Sequence, residues 1–505
     1  MSPSPDRRAV LGVAALLLSG LVWPAGPAAA AECSGVASDF DGDGYVDLAV
    51  GDPYAGVDRA AVAGSVTVLY GGAAGIGAGR TAVLHQGSPG VGGVAEDADF
   101  FGGSLAVADL DADGCADLVV GSPWEAHSAS TSEAGMAQIV WGAPGGLGAG
   151  RTSTDLTPPS FGAANRVGLG FGDSVDAVGP SGTEPGVVVI GVPGGWVGGV
   201  AGAGWVGVQP IGGRARVLSQ ATAGVEGTPE PYDGFGTSVT LGRLAGRSAR
   251  VDLGVGVPRE DVGSVRDAGV VSVLSEVVAG PVAGAAYDQD SPGIPGAVER
   301  DDQFGEALDS LRVGGETTMV VGIPAEDIGT VVDAGVVTLF SSSGTSVVPG
   351  PMLSQDTAGV TSDPEPGDGF GTEVVLAPPG PDDAGTWLGV GAPTEDGSAV
   401  DTGAVQLFPL DDPTAELTYT QDNAGIPGVA RAQDRFGLSV GFAADAAERT
   451  FLVGSGDQQE FDIPYFRGLL HTVPISGGSP RVWAPGLGDL PLEDAGAFGL
   501  VVANR

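Results

Sequence analysis

The sequence predicts an all-β protein made of seven similar four-stranded units closed into a ring. Three observations carry this. Phe-Gly recurs at Phe101, Phe171, Phe235, Phe304, Phe370, Phe436 and Phe498, about every 66 residues. Gly-x-Pro triplets fall between them at Gly51, Gly121, Gly191, Gly256, Gly322 and Gly391, with a degraded seventh copy at Gly454-Ser455-Gly456. Gly supplies 90 of 505 residues and helix signals are nearly absent, as expected for short strands joined by tight turns.

The chain opens on a segment set apart from the repeats. Arg7-Arg8 precede an apolar run from Ala9 to Val22, followed by Ala28-Ala29-Ala30-Ala31. This order of charged, apolar and small residues predicts a signal peptide over 1–31, with the ring occupying 32–505. The run is too short to span a bilayer. Arg7-Arg8 fits a twin-arginine signal and the general secretory route alike. Glu32 before Cys33 argues against a lipoprotein. No later stretch is long and apolar enough to span, so a freely secreted, extracellular protein is expected.

One unit reads clearly from Phe235. Phe235 to Gly242 alternates as a strand. Val251 to Gly256 is an apolar run stopped by Pro258, Gly269 to Ser275 is a third run, and Val282 to Tyr287 a weaker fourth. Such up-and-down sheets set radially around an axis make a β-propeller. The connectors repeat as well. Gln86, Gln220, Gln289, Gln355 and Gln421 each lie fifteen residues before a Phe-Gly, and Asp99, Asp233, Asp302, Asp368 and Asp434 two before it. Fixed length with fixed polar residues predicts ordered turns in which Gln and Asp satisfy backbone groups at blade junctions.

The phase of the repeat predicts how the ring closes. Gly51 has no Phe-Gly before it, and Phe498 has no Gly-x-Pro after it. The C-terminal strand, Phe498 to Ala503, is therefore expected to complete the blade begun by the N-terminus, leaving no open edge. Ser34 to Ser38 competes for part of that position, and the C-terminal segment is expected to hold it.

Two stretches have metal-ligand spacing. Asp39, Asp41, Asp43 and Asp47 stand at positions 1, 3, 5 and 9 of one loop, and Asp109, Asp111, Asp113 and Asp117 at the same positions of another. Gly44 and Gly114 occupy position 6. Hard oxygen ligands at this spacing wrap one Ca²⁺, with Tyr45 and Cys115 at position 7 giving backbone carbonyls. Position 12, the Glu of an EF-hand, is Val50 or Val120, and the flanks are strand-like. An acidic turn without metal is the plainer reading, but four converging carboxylates without a cation repel strongly.

With Phe-Gly, Gly-x-Pro and these loops in phase, the chain resembles the FG-GAP repeat of the integrin α-subunit propeller and its bacterial secreted relatives. The resemblance spans nearly the whole mature chain. It implies a seven-bladed β-propeller, and calcium hairpins in units one and two. Unit three departs by lacking Asp before Phe171, and unit seven by lacking the Pro.

Phe-Gly and Gly-x-Pro read as packing devices. Function is expected where the copies differ. The segments after Gly-x-Pro share one face with the connectors. Units one to three carry Tyr54, Trp124 and Trp196 there, and units four to six carry Glu260-Asp261, Glu326-Asp327 and Glu395-Asp396. This predicts a partner-binding face with an aromatic arc and an anionic arc. The alternative is that the acids are solvated turns and the aromatics cap blade cores. The integrin resemblance favours this face for ligands.

Net charge is −42, and all 21 basic residues are Arg, which excludes nucleic acid and anionic membrane as expected partners. The two cysteines, Cys33 and Cys115, are expected to pair in an oxidising compartment, a buried free Cys115 being the alternative. His85, His127 and His471 form no metal pair, and no nucleophile elbow or phosphate loop is present. The reading is a secreted, monomeric, calcium-binding propeller that binds an extracellular protein or glycan. Two readings stand beside it: a propeller hydrolase acting on carbohydrate or phosphoester, and a purely structural surface protein.

Overall fold

Each unit forms an antiparallel meander because its apolar runs are short and separated by Gly- and Asp-rich turns. The computed structural model describes residues 33–127, 133–245, 250–280, 282–342, 347–380, 385–444, 449–456, 468–475, 479–485, 487, 490 and 497–503. These form seven four-stranded sheets. The expected leader lies outside the described residues. Among the described residues no helix is long and apolar enough to cross a membrane.

The fourth blade shows the pattern. Val239–Gly242, Asp252–Val257, Val270–Ser275 and Ala283–Tyr287 pair in chain order. Val239 faces Val255, Leu253 faces Leu274, and Val271 faces Tyr287. The two middle strands are buried along their whole length, which is why they read as continuous apolar runs. Blades two, three, five, six and seven span 104–156, 175–218, 307–353, 373–419 and 439–483.

The first blade is composite. Its strand order is Val501–Ala503, Leu48–Asp52, Ser65–Leu69, Thr81–Leu84. Val502 pairs with Val50. The C-terminal segment thus holds the inner position, and the N-terminal segment passes below it, where the Asp47 N–H donates to the Ser38 carbonyl.

The Phe-Gly pairs correct one expectation. The strand of unit four starts at Val239, not Phe235, because Gly236 has φ +96° and breaks the extended run. Likewise the last strand starts at Val501, after Gly499 at φ +84°. The phenylalanines lie in the turn before each inner strand, and all are buried. Phe235 shares one core cluster with Val187, Val206 and Leu218 of the third blade and with Val255 of its own. Burying each such ring contributes about 1.5–3 kcal/mol, and the core lies between blades.

Glycine sets how closely blades approach. A Cβ on Gly256 would lie 2.0 Å from the carbonyl oxygen of Gly305, the Phe-Gly glycine of the next blade. The same contact joins Gly121 to Gly172 at 2.1 Å and Gly454 to Gly499 at 2.0 Å. The last of these docks the seventh blade on the composite first, so the ring closes through the same contact that builds it. Ser104, Ser174 and Ser238 donate their hydroxyls to the Phe-Gly carbonyls of Gly172, Gly236 and Gly305, at 2.7, 3.0 and 2.7 Å.

Candidate functional site

The second aspartate loop is the hairpin between Ser104–Ala108 and Asp117–Ser122. The first loop precedes Leu48–Asp52 but is not a hairpin, because its inner strand comes from the other end of the chain. Both loops have the same internal frame. Asp39 accepts the N–H groups of Gly42 at 2.7 Å and Gly44 at 2.8 Å, and also takes the Ser34 hydroxyl. Asp109 accepts Asp113 and Gly114 at 3.2 and 3.1 Å. Asp43 and Asp113 accept the N–H of Tyr45 and Cys115 at 3.0 and 2.9 Å. Asp47 is buried and accepts Phe40 and Gly71, each at 2.7 Å, while Asp117 does the same for Leu110 and Gly142 at 2.9 and 2.8 Å.

Three of the four expected carboxylates converge in each loop, without Asp47 in the first and without Asp113 in the second. Asp39, Asp41 and Asp43 present oxygens within 4.8 Å of one another, as do Asp109, Asp111 and Asp117. Burial pushes Asp47 and Asp117 up to about 7, and their loop partners add to this. Burial, with Asp43 beside it, also raises Asp41. The donor set is hard, anionic and bent around one point by Gly44 and Gly114 at φ +93° and +89°, and it fits Ca²⁺. Cys33 and Cys115 are disulfide-bonded with Cα atoms 4.9 Å apart. Together with the 2.8 Å bonds from Gly35 N–H to the Gly114 carbonyl and from Ala116 N–H to the Asp39 carbonyl, this bond ties the two loops into one body.

On the connector face, Tyr54, Trp124 and Trp196 are exposed, at 47%, 46% and 46%. Phe100 joins the first two: its ring centre is 5.2 Å from Tyr54, edge-on, and 5.9 Å from Trp124. Trp196 stands apart, with the Arg166 guanidinium 4.8 Å from its ring centre. The paired acids divide. Glu326 and Glu395 are buried and Glu260 half-buried, and each accepts the amide of the connector glutamine from the preceding blade: Gln289, Gln355 and Gln220. The following aspartates stay at the surface, where Asp261, Asp327 and Asp396 accept the N–H of Asp267, Asp333 and Asp401 at 3.0, 2.9 and 2.8 Å. The anionic arc is thus thinner than the sequence suggests, because its glutamates are drawn into the junctions. These three glutamines, too, bond side chains rather than backbone.

A family model for the FG-GAP repeat matches residues 34–69 and 101–138, the stretches that hold the two loops. The chain carries FG-GAP repeats. No curated protein matches it.

The seven units differ on the connector face at residues that the sequence reading did not assign. Glu125 is the counterpart of Glu260, Glu326 and Glu395, and accepts the Gln86 amide. Its signal was available: a Glu four residues after the Gly of Gly-x-Pro, in units two, four, five and six. Unit three has Gly195 there, and the preceding connector has Leu156 in place of Gln, so both partners are missing together. Phe100 occupies the residue just before Phe101-Gly102 at φ +58°, where other units have Gly170, Gly234 or Gln303.

Burial pushes Glu125, Glu260 and Glu326 up to about 7, against the glutamine bond. It also raises their neighbours Asp99 to about 7, Asp233 and Asp302 to about 6, and Asp368, beside Glu395, to about 8. The inner strands line an axial cavity of 540 Å³ with Leu105, Val107, Val374 and Phe442 among its walls. Glu373 faces this cavity, and burial pushes it up to about 8, with Glu306 near.

Proposed function

We propose that this propeller is a secreted binding module, stabilised by calcium in its first two blades, whose connector face takes an extracellular protein or glycan. The observation that carries the binding reading is the row Tyr54–Phe100–Trp124. Three rings in contact, one pair edge-on and the other tilted, two of them half exposed, form a rigid apolar surface with little ordering cost on binding. A glycan-array and pull-down screen of the mature protein in calcium identifies the ligand. The double variant Tyr54→Ala, Trp124→Ala is expected to weaken its capture at least tenfold with the fold intact. Unchanged capture would overturn the assignment of this face.

Calcium, when bound, supplies a divalent charge that offsets the crowded carboxylates. Asp39, Asp41, Asp43 and Asp47 would hold one ion with the Tyr45 carbonyl, and Asp109, Asp111, Asp113 and Asp117 the other with the Cys115 carbonyl. Millimolar extracellular calcium fills even a weak site of this type. The melting temperature is expected to drop on chelation, and an unchanged value counts against both sites. Secretion is supported by the leader pattern over 1–31 and by the disulfide. The N-terminal residue of protein recovered outside the cell tests it.

A second reading, a propeller hydrolase, is favoured by the axial placement of Glu373 near Glu306. Hydrolysis of a carbohydrate or phosphoester by the wild type, lost in Glu373→Gln, is the result that would replace the binding reading.

A further inference from the structure

Each aspartate loop faces an arginine held by an aromatic ring. Arg80 Nη2 lies 3.5 Å from Asp41 Oδ2, and Arg151 Nη1 lies 2.9 Å from Asp111 Oδ2. Both carboxylates are the third position of their loop. The Arg80 guanidinium sits 3.6 Å over the Tyr70 ring, and that of Arg151 sits 3.4 Å over Trp141. Arg80 also donates to the Gly145 carbonyl at 2.6 Å, across the junction with blade two. Stacking and this bond fix where the charges stand.

The hairpin that carries each arginine grips its loop at two points. Its root donates Gly71 or Gly142 N–H to the ninth-position carboxylate, Asp47 or Asp117. Its end brings Arg80 or Arg151 to the third. The sequence repeats this device: an aromatic at 70 or 141 is followed by Gly-Ala-Gly-Arg-Thr at 77–81 or 148–152, and that run occurs only in the two units with aspartate loops. Blade three supplies the contrast. Its hairpin arginine, Arg216, has no loop to face and donates to the carbonyls of Val277 and Gly280 instead.

We propose that Arg80 and Arg151 are tethered counter-ions that compete with calcium for the third carboxylate of each loop, thereby weakening calcium affinity and holding the loop's shape when the ion leaves. The inference rests on the calcium reading above. A third-position carboxylate that pairs with a guanidinium is less available to a metal, and the positive charge beside the site opposes a second cation.

The test uses the mature, disulfide-intact protein with Arg80→Met and Arg151→Met, which keep an apolar stem for stacking, and Arg→Gln at each position should a Met variant fold poorly. Calcium binding is measured by calorimetry and by competition with a chromophoric chelator. Removing each arginine is expected to tighten its site about threefold, the scale of an exposed ion pair. Calcium is also expected to change the fluorescence of the wild type, as Arg151 loses its bond to Asp111 beside Trp141, and this response should shrink in Arg151→Met. In the presence of chelator the variants should melt below the wild type. Equal or weaker calcium binding by the variants would overturn the proposal alone, whereas a wild type that takes up no calcium would overturn the calcium reading together with it.

Discussion

Gln289 Nε2 donates to Glu326 Oε2 at 2.7 Å, across the junction between the fourth and fifth blades. The bond recurs between Gln220 and Glu260 at 2.6 Å, and at Gln86–Glu125 and Gln355–Glu395. It joins the outer end of one blade to the loop after the second strand of the next. Gln289→Ala leaves the buried Glu326 carboxyl without this donor and is expected to cost about 1–3 kcal/mol in urea unfolding. Glu326→Gln removes the charge but keeps an acceptor, and should cost less at pH 8 than at pH 5.

The junction acids predict an unusual pH dependence. Asp99, Glu125, Asp233, Glu260, Asp302, Glu326 and Asp368 are held at about 6 to 8, against ordinary values of 3.8 and 4.5. Between these limits the folded state binds more protons than the unfolded chain. Their contribution is therefore full below about pH 4 and is lost as pH rises through 6 to 8. Buried His471, pushed down to about 4, acts in the opposite sense between pH 6.5 and 4, but is one group against these seven and against Asp47, Asp117 and Glu373, which burial also raises to about 7 or 8. With chelator present, the melting temperature should fall steadily from pH 5 to pH 8.5. A rise over that range would contradict the junction geometry.

The Cys33–Cys115 disulfide closes a loop with a sequence separation of 82 residues. On the chain-entropy estimate it contributes about 4.5 kcal/mol. The double variant Cys33→Ser, Cys115→Ser should lose stability of that order in chemical unfolding. It should also bind calcium more weakly, since the bond holds the two loops against each other.

Close blade contact predicts the cost of one methyl group. In Gly256→Ala the new Cβ would stand 2.0 Å from the Gly305 carbonyl oxygen and 2.1 Å from Ser238 Oγ. Neither the strand nor the neighbouring turn can retreat without breaking the ring contact. A loss of about 3 kcal/mol is expected in thermal or chemical unfolding.

What the sequence by itself determined was whatever is encoded locally or by repetition. The period and phase of Phe-Gly and Gly-x-Pro were enough to predict seven blades and closure by the C-terminal strand, because strand pairing is set by order along the chain. The aspartate loops were legible because all their carboxylates lie within nine residues. The tertiary structure alone decided how distant segments meet. Glu326 and Asp327 are neighbours in sequence, yet one turns into a junction and the other to solvent, since the partner of Glu326 is Gln289 on another blade. Phe100 joins Tyr54 to Trp124 only because a left-handed residue before Phe101 aims its ring between two loops. Arg80 reaches Asp41 only because a hairpin folds its tip back over the loop. Blade packing sets these contacts, and packing depends on register between segments that local spacing does not encode.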